Sequence, residues 1–306
     1  MKFSESWLRT LVDPRLTSED LAHRLTMAGL EVEELDAVAP QFDDVVVARV
    51  LEVNRHPDAD RLNVCRVDTG RGAPATIVCG APNVAVGLKV PCALPGARLP
   101  GDFEIKVARV RGVESSGMLC SARELGIADD VSGLLVLPAD APVGQSIRQY
   151  LDLDDRLFTL KLTPNRADCL SLTGVAREVS AITGAPARLP DVPAVAATIA
   201  DQRAVALDAP AACPLYLGRI LKGVDARAPT PDWMKRRLER SGIRAISALV
   251  DVTNYVMLEL GQPLHAFDNT RLSGTVHARM ARPGERLLLL NEQTIAIDGD
   301  ILMIAD

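Results

Sequence analysis

The sequence predicts an α+β multidomain protein. In it, a small β-barrel interrupts a helical and mixed domain and is followed by part of a mixed α/β domain. Three observations carry that expectation. The chain has 306 residues, enough for two or three domains at roughly 100–200 residues each. Helical spacing near the start gives way at about Asp44 to short β-rich runs cut by turns, and it returns after Pro142. A Pro/Ala/Val stretch from Ala185 to Ala200 then reads as a linker into a third region.

The opening segment reads as helical. Thr17-Ser18-Glu19-Asp20 fits a capping box, Leu21, Leu25 and Ala28 follow at helical spacing, and Gly29 supplies the stop. Five strands are predicted next, over residues 45–50, 64–67, 75–79, 89–94 and 105–111. The turns Asp68-Thr69-Gly70, Gly80-Ala81-Pro82-Asn83 and Pro95-Gly96 separate them, and Gly112 ends the last. Five short strands in so few residues suggest a small closed barrel, and the oligonucleotide-binding fold is one of the few with five. Leu172–Ile182 is predicted as a helix closed by Gly184. Thr230-Pro231-Asp232 opens another, which carries Trp233, Arg237 and Leu238 on one side and ends at Gly242. The sequence ends at Asp306, directly after the apolar run Ile301–Ala305, which reads as a domain cut in two.

Composition narrows the function classes. With 48% hydrophobic and 24% charged residues, the chain is neither disordered nor membrane-spanning. No run approaches the roughly 20 apolar residues a spanning helix needs. The segment Met1–Trp7 lacks the apolar core of a secretory signal, which points to a cytoplasmic protein. A net charge of −6 means that any nucleic-acid contact comes from a local patch rather than the whole field. The six cysteines form no CxxC pair and the four histidines lie far apart, so buried free thiols are expected rather than a metal site.

Three separated signatures carry chemistry. The first combines His56-Pro57-Asp58-Ala59-Asp60-Arg61-Leu62 and Cys65, then residues 78–84 (VCGAPNV) and 115–121 (SSGMLCS). It resembles the oligonucleotide-fold tRNA-binding domain shared by several synthetases and free-standing tRNA-binding proteins. The second is residues 162–171 (LTPNRADCLS). The third is residues 250–257 (VDVTNYVM) with 261–268 (GQPLHAFD). In this order the three sets resemble the amino-terminal part of the bacterial phenylalanyl-tRNA synthetase beta chain.

That resemblance implies an organisation. Residues 1–39 and 152–190 would form the interrupted amino-terminal domain, 40–151 the barrel, and 200–306 the first part of an editing domain that hydrolyses mischarged tyrosyl-tRNA. It also implies partners: an alpha chain bearing the synthetic site, an alpha2beta2 heterotetramer, and phenylalanine tRNA. ATP and Mg2+ would serve the whole enzyme, with no cofactor or metal held in this part. The chain alone would be inactive in synthesis, whose site the family places on the alpha chain, and weak or inactive in editing, because the family's acidic residue that reads the tyrosine hydroxyl lies beyond Asp306. The alternative reading is a stand-alone tRNA-binding module without editing activity.

The resemblance places editing roles on His265, Arg244, Thr253 and Asn254, with Pro263 and Ala266 as pocket walls. His265 would orient the hydrolytic water or hold the terminal ribose. On composition alone it reads as a hydrogen-bonded core histidine, Thr253 and Asn254 as a strand end, and Arg244 as a solvated helix-end cation. The sequence departs from the family pattern at residues 245–249 (AISAL), where relatives often carry proline or asparagine.

In the barrel, Lys106, Arg109, Arg111 and Arg123 are the candidate tRNA-binding cations, with Arg109 and Arg111 expected on one strand face. Ser115, Ser116 and Met118 either meet the RNA backbone or close the barrel. Residues 42–127 hold eleven Lys/Arg and ten Asp/Glu, which leaves +1, weak for a self-sufficient RNA binder. His56, Asp58 and Asp60 are expected to order their loop. Arg166 and Asp168 are spaced for a structural ion pair or a subunit contact. Neither a GxxxxGK[ST] phosphate loop nor a GxSxG elbow occurs.

Overall fold

A computed structural model describes residues 1–129 and 132–306. The chain divides into two compact units. One comprises Met1–Leu170, Val175–Ala187 and Arg240–Gly242; the other comprises Ser171–Gly174, Arg188–Glu239 and Ile243–Asp306.

The first unit opens with β1 (Lys2–Ser4), α1 (Glu5–Leu11), α2 (Ser18–Met27) and β2 (Glu31–Ala37). The barrel region follows as β3 (Val45–Arg55), β4 (Asn63–Asp68), β5 (Ala75–Cys79), β6 (Lys89–Ala93), β7 (Arg98–Leu99), β8 (Phe103–Glu104), β9 (Ala108–Val110), β10 (Val113–Ser115) and β11 (Met118–Leu119). Then come α3 (Ile147–Tyr150), β12 (Arg156–Lys161), a 3-10 stretch over Pro164–Cys169, and α4 (Leu172–Thr183, whose first three residues count with the second unit).

The strand after the barrel returns to the beginning of the chain. β12 lies between β1 and β2 in an antiparallel sheet. Phe3 of β1 stacks on Phe158 of β12, ring centroids 5.6 Å apart and planes 11° from parallel. Trp7, Leu8, Leu21, Leu25 and Leu160 are fully or almost fully buried, each side chain contributing roughly 1.5–3 kcal/mol. The Ser4 hydroxyl caps α1 by accepting the Trp7 N–H at 3.2 Å. Thr17 caps α2 by accepting the Asp20 N–H at 3.1 Å. The Thr17 hydroxyl in turn donates to the Asp20 carboxylate (2.9 Å). Gly29, at φ +93°, ends the helix in the left-handed region.

This corrects the helical reading of the opening segment, which in fact contains two strands. β2 has four acids in seven residues, a poor strand by composition. It is viable because it occupies a sheet edge, where exposed charge is tolerated.

Asp155 fastens the return. Its side chain is 2% exposed and accepts from Ser4 Oγ (2.6 Å), Ser6 N (2.9 Å), Ser6 Oγ (3.0 Å), Arg156 N (2.9 Å) and Arg240 Nη1 (2.9 Å). Arg166 ties the 3-10 stretch to Glu178 of α4 (2.8 Å) while pairing with Asp168 (3.2 Å). It also donates to Cys169 Sγ at 3.1 Å. Of the two roles expected for this motif, the structural ion pair is therefore present.

The barrel is a nearly closed antiparallel sheet in the order β11-β6-β3-β4-β5. β3 is long enough to pair with β6 through Val45–Arg49 and with β4 through Arg49–Arg55, a bulge at Val50/Glu52 helping it bend. It is also buried on both faces. Val45 and Val47 join one apolar cluster with Phe42, Leu125 and Ile147, while Ala48 and Val50 join another with Cys65, Ile77, Val90 and Leu119. That is why Val45–Val50 reads as an unbroken apolar run. Closure comes where Ser116 N–H donates to Thr76 O of β5 at 2.9 Å, just before β11.

The strand expected over residues 105–111 is not in this sheet. Ile105 is buried, and it bonds Gly96 and Ala97 through its backbone (2.7 and 2.8 Å). Ala108–Val110 instead turns back on Val113–Ser115 as a two-stranded ribbon. Arg111 (φ +45°) and Gly112 (φ +85°) make a two-residue turn with both central residues left-handed, and this geometry matches hairpin twist. Met118–Leu119 serves as the fifth strand. Gly117 there permits close approach, since a Cβ on it would lie 2.7 Å from Ala93 O.

The second unit contains β13 (Val205–Leu207), α5 (Asp232–Arg240, whose last residue counts with the first unit), α6 (Ala248–Leu260), β14 (Val276–Met280), β15 (Arg286–Leu288), β16 (Thr294–Ala296) and β17 (Leu302–Ala305). β14 pairs parallel with β13 and antiparallel with β17, and β15 and β16 form a hairpin. Among the described residues, no helix is long and apolar enough to cross a membrane.

Five cysteines are buried and Cys213 is half-buried. Burial pushes the Cys65 thiol up to about 11 and Cys92 to about 12, and Cys120 is raised further. Burial, then a hydrogen bond to Asp168, raises Cys169 to about 11. At a pH of about 8, Ellman's reagent is expected to titrate one thiol quickly in the native chain, Cys213, and all six in denaturant. Fast reaction of a second native thiol would contradict this burial pattern.

Candidate functional site

Two regions carry the candidate residues, one in each unit. In the barrel unit the β9–β10 ribbon stands on fixed supports. Ser115 is buried. Its Oγ accepts the Val78 N–H of β5 at 3.0 Å and donates to Gly117 O at 3.1 Å. Ser116 makes the closing bond to Thr76, and Met118 pairs with Ala93 and packs against the core. Of the two roles expected for Ser115, Ser116 and Met118, these bonds and contacts serve barrel closure.

The cations differ in setting. Arg111 is exposed at the ribbon's turn, so it does not share a strand face with Arg109 as expected. Its left-handed backbone, at a position where asparagine or glycine is the usual choice, carries a strain of the order of 1 kcal/mol. Arg109 is exposed on β9, directly across from Glu114. Lys106 pairs with Glu104 at 3.0 Å, both exposed, a contact worth about 1 kcal/mol at most. Arg123 is exposed in a tight turn in which Glu124 accepts the Ser121 N–H at 2.6 Å.

In the second unit the sequence region 250–257 is helical. Thr253 and Asn254 lie in the middle of α6 rather than at a strand end. The run Val250–Met257 is β-branched enough to suggest a strand. However, Gly261 (φ +76°) caps a thirteen-residue helix whose length and end signals decide the matter. The Thr253 hydroxyl donates back to Val250 O at 2.7 Å. Arg244 is exposed in the α5–α6 connection. Pro263, His265 and Ala266 are exposed in the irregular segment after Gly261. His265 Nδ1 lies 3.4 Å from Tyr216 Oη, and its ring centroid is 5.8 Å from that of Phe267. Among the described residues, no hydrogen bond or ion pair joins any two of Arg244, Thr253, Asn254, Pro263, His265 and Ala266.

Two supporting residues escape sequence reasoning. Asp251 is fully buried. Its Oδ1 accepts the Ile246 N–H at 2.9 Å and its Oδ2 accepts the Thr230 hydroxyl, so one carboxylate holds both the Arg244 connection and the approach to α5. Thr230 therefore bonds Asp251, while α5 begins on the Pro231 carbonyl, which accepts from Met234 and Lys235. Tyr255 stands edge-on to Trp233 at 5.4 Å, accepts from Arg237 (2.6 Å) and donates to Glu259 (2.8 Å). Burial, and then the Glu259 acceptor, push its phenol up to about 12. Among the described residues, no group of three or more His, Cys, Asp or Glu could hold a metal ion.

Comparison with known proteins separates the two regions in the same way. Residues 45–146 match a family described as a putative tRNA binding domain, and residues 212–306 match the B3/4 domain family. Over all 306 residues the chain is 82% identical to the phenylalanine–tRNA ligase beta subunit of Dechloromonas aromatica, covering 38% of that protein. Along its whole length the chain is similar to phenylalanine–tRNA ligase beta subunits.

The corresponding subunits of Aromatoleum aromaticum and Thiobacillus denitrificans are each 64% identical over the whole chain, which covers 38% and 39% of them. The chain thus spans less than two fifths of the length of these beta subunits. Among solved structures, the C-terminal domain of Plasmodium vivax p43 aligns over 33% of this chain and 56% of its own at 23% identity, with a TM-score of 0.25, too low to support a fold assignment.

Replacing Asp251 with alanine removes the acceptor shared by the Ile246 N–H and the Thr230 hydroxyl, two part-buried donors. The expected loss is about 2–3 kcal/mol of stability, read from denaturant unfolding, with Asp251→Asn losing less. An unchanged midpoint for Asp251→Ala would remove the carboxylate from this supporting role.

Proposed function

We propose that this chain works in phenylalanine–tRNA ligase as the part of the beta subunit that contacts tRNA through an oligonucleotide-binding-fold barrel and contributes half of an editing site. In this reading the synthetic site lies on an alpha chain, in an alpha2beta2 assembly in the cytoplasm. ATP and magnesium act at that synthetic site in this reading. The domains run over 1–39 with 152–190, over 40–151, and over 200–306. The observation that carries the reading is the 82% identity over all 306 residues of the chain. The B3/4 match over 212–306 weighs against a stand-alone tRNA-binding module.

Chemistry explains the pairing of binding and editing. A pocket built for phenylalanine rejects tyrosine by only about a hundredfold, because the competitor merely adds a hydroxyl. A second site that hydrogen-bonds the phenol can exclude phenylalanine, which leaves that partner unpaired at roughly 1–3 kcal/mol. His265 would position water or the terminal ribose there. Arg244, Thr253 and Asn254 would surround the ester, with Pro263 and Ala266 as walls. Thr253 would have to release its bond to Val250 to reach a substrate.

On the barrel, Arg109, Arg111, Lys106 and Arg123 would meet phosphates. Binding of phenylalanine tRNA across a salt series tests this. The double change Arg109→Gln with Arg111→Gln is expected to flatten the logarithmic salt slope by about two, one per lost phosphate contact. An unchanged slope would take the ribbon out of the interface. For editing, His265→Ala in the assembled ligase is expected to slow hydrolysis of tyrosyl-tRNA by about a hundredfold while leaving phenylalanine charging intact. Equal deacylation rates would overturn the assignment.

A further inference from the structure

The ribbon that carries Arg109 and Arg111 is fastened at its base by Ser115 and Ser116 to β5. Its far end has a different anchor. His56, buried at the end of β3, places Nε2 3.0 Å from the carbonyl of Val110, the residue between the two arginines. Its Nδ1 accepts the Asp58 N–H at 3.1 Å. A carbonyl only accepts and Nδ1 is already accepting, so the partners assign the ring proton to Nε2.

We infer that His56 is a positioning residue for RNA contact: its ring clasps the Val110 carbonyl and holds the Arg109–Arg111 turn against the barrel. The inference rests on the reading of that ribbon as RNA-contacting. The loop that follows His56 does not need the ring for its shape, because backbone bonds already close it. His56 N donates to Leu62 O at 3.0 Å and Leu62 N to Ala59 O at 3.1 Å. The bond to Val110, 54 residues away in sequence, is the one that the backbone does not supply. Without it, a two-stranded ribbon three residues deep on each side is too short to hold its own turn. The left-handed Arg111 also needs surroundings that fix it.

Two substitutions separate the clasp from local loop ordering. In His56→Gln the side-chain nitrogen replaces Nε2, keeping a donor for Val110 and losing the acceptor for Asp58. In His56→Asn the side-chain oxygen replaces Nδ1, keeping the local acceptor and losing the reach to Val110. Hydrogen exchange of the 306-residue chain is read at the amides of Ala108–Val113, with thermal melting as the check on folding. His56→Asn is expected to speed exchange there about fivefold or more, the equivalent of one lost hydrogen bond, while His56→Gln stays near the parent.

Exchange unchanged in both variants, or faster in His56→Gln than in His56→Asn, would overturn the clasp. If His56→Asn does not fold, His56→Gln still decides: parent-like protection supports the clasp and lost protection overturns it. Binding of a phenylalanine tRNA transcript is measured alongside. Weaker binding and a flatter salt slope in His56→Asn alone support positioning for RNA. Looser exchange with unaltered RNA binding overturns positioning for RNA and leaves a clasp of structural use alone, while the salt slope of the Arg109→Gln, Arg111→Gln double change decides separately whether the ribbon contacts RNA.

Discussion

The pairing of β12 with β1 and β2 is the constraint on which the first unit depends. The chain leaves its amino-terminal sheet, builds a nearly closed barrel, and returns to place a strand between the two it left behind. Such a return closes a very long loop, and the entropy of that closure must be met by the contacts at the join. Phe3 on Phe158 supplies apolar contact there. Asp155 supplies direction, because one buried carboxylate accepts from the Ser4 and Ser6 side chains that begin α1 and from the first backbone N–H of β12. A buried charge with that many donors is tolerable only in one arrangement, and so it specifies register as well as adding stability.

The same device recurs at each candidate site. Asp251 satisfies a loop N–H and a threonine hydroxyl and so fixes the connection that bears Arg244. Ser115 uses its hydroxyl both ways to seat the ribbon on β5. In each case an exposed candidate side chain is carried by a short loop or ribbon. A buried polar neighbour gives that segment its position. Exposed arginines and histidines lose much side-chain entropy on binding, and a fixed backbone beneath them reduces what remains to be ordered.

Much of the fold was legible in local patterns. Val45–Val50, Val64–Val67, Ala75–Cys79 and Lys89–Ala93 are strands because β-branched runs are bounded by glycine, proline and aspartate turns. Thr17 and Gly29 bracket α2 by their capping chemistry. Residues 105–111 misled because an apolar alternation says nothing about whether a chain continues or folds back. The Arg111-Gly112 turn decided that, and arginine is not the usual first residue of such a turn. Val250–Met257 misled in the opposite sense, its valines suggesting a strand where Gly261 ends a helix. β2 was invisible because its carboxylates hide an edge strand that only β12 makes possible.

By itself the sequence determined most of the local elements and the motifs by which the chain resembles phenylalanine–tRNA ligase beta subunits, because motifs and spacing are properties of the chain. The tertiary structure decided what those side chains have for neighbours. It turned Ser115 and Met118 into parts of the barrel wall, showed Asp155 and Asp251 as buried pins, and set His56 against Val110. The physical reason is that a polar group's role follows from the partner that replaces water around it. Those partners, Ser4 for Asp155 or Val110 for His56, lie tens to more than a hundred residues away in sequence.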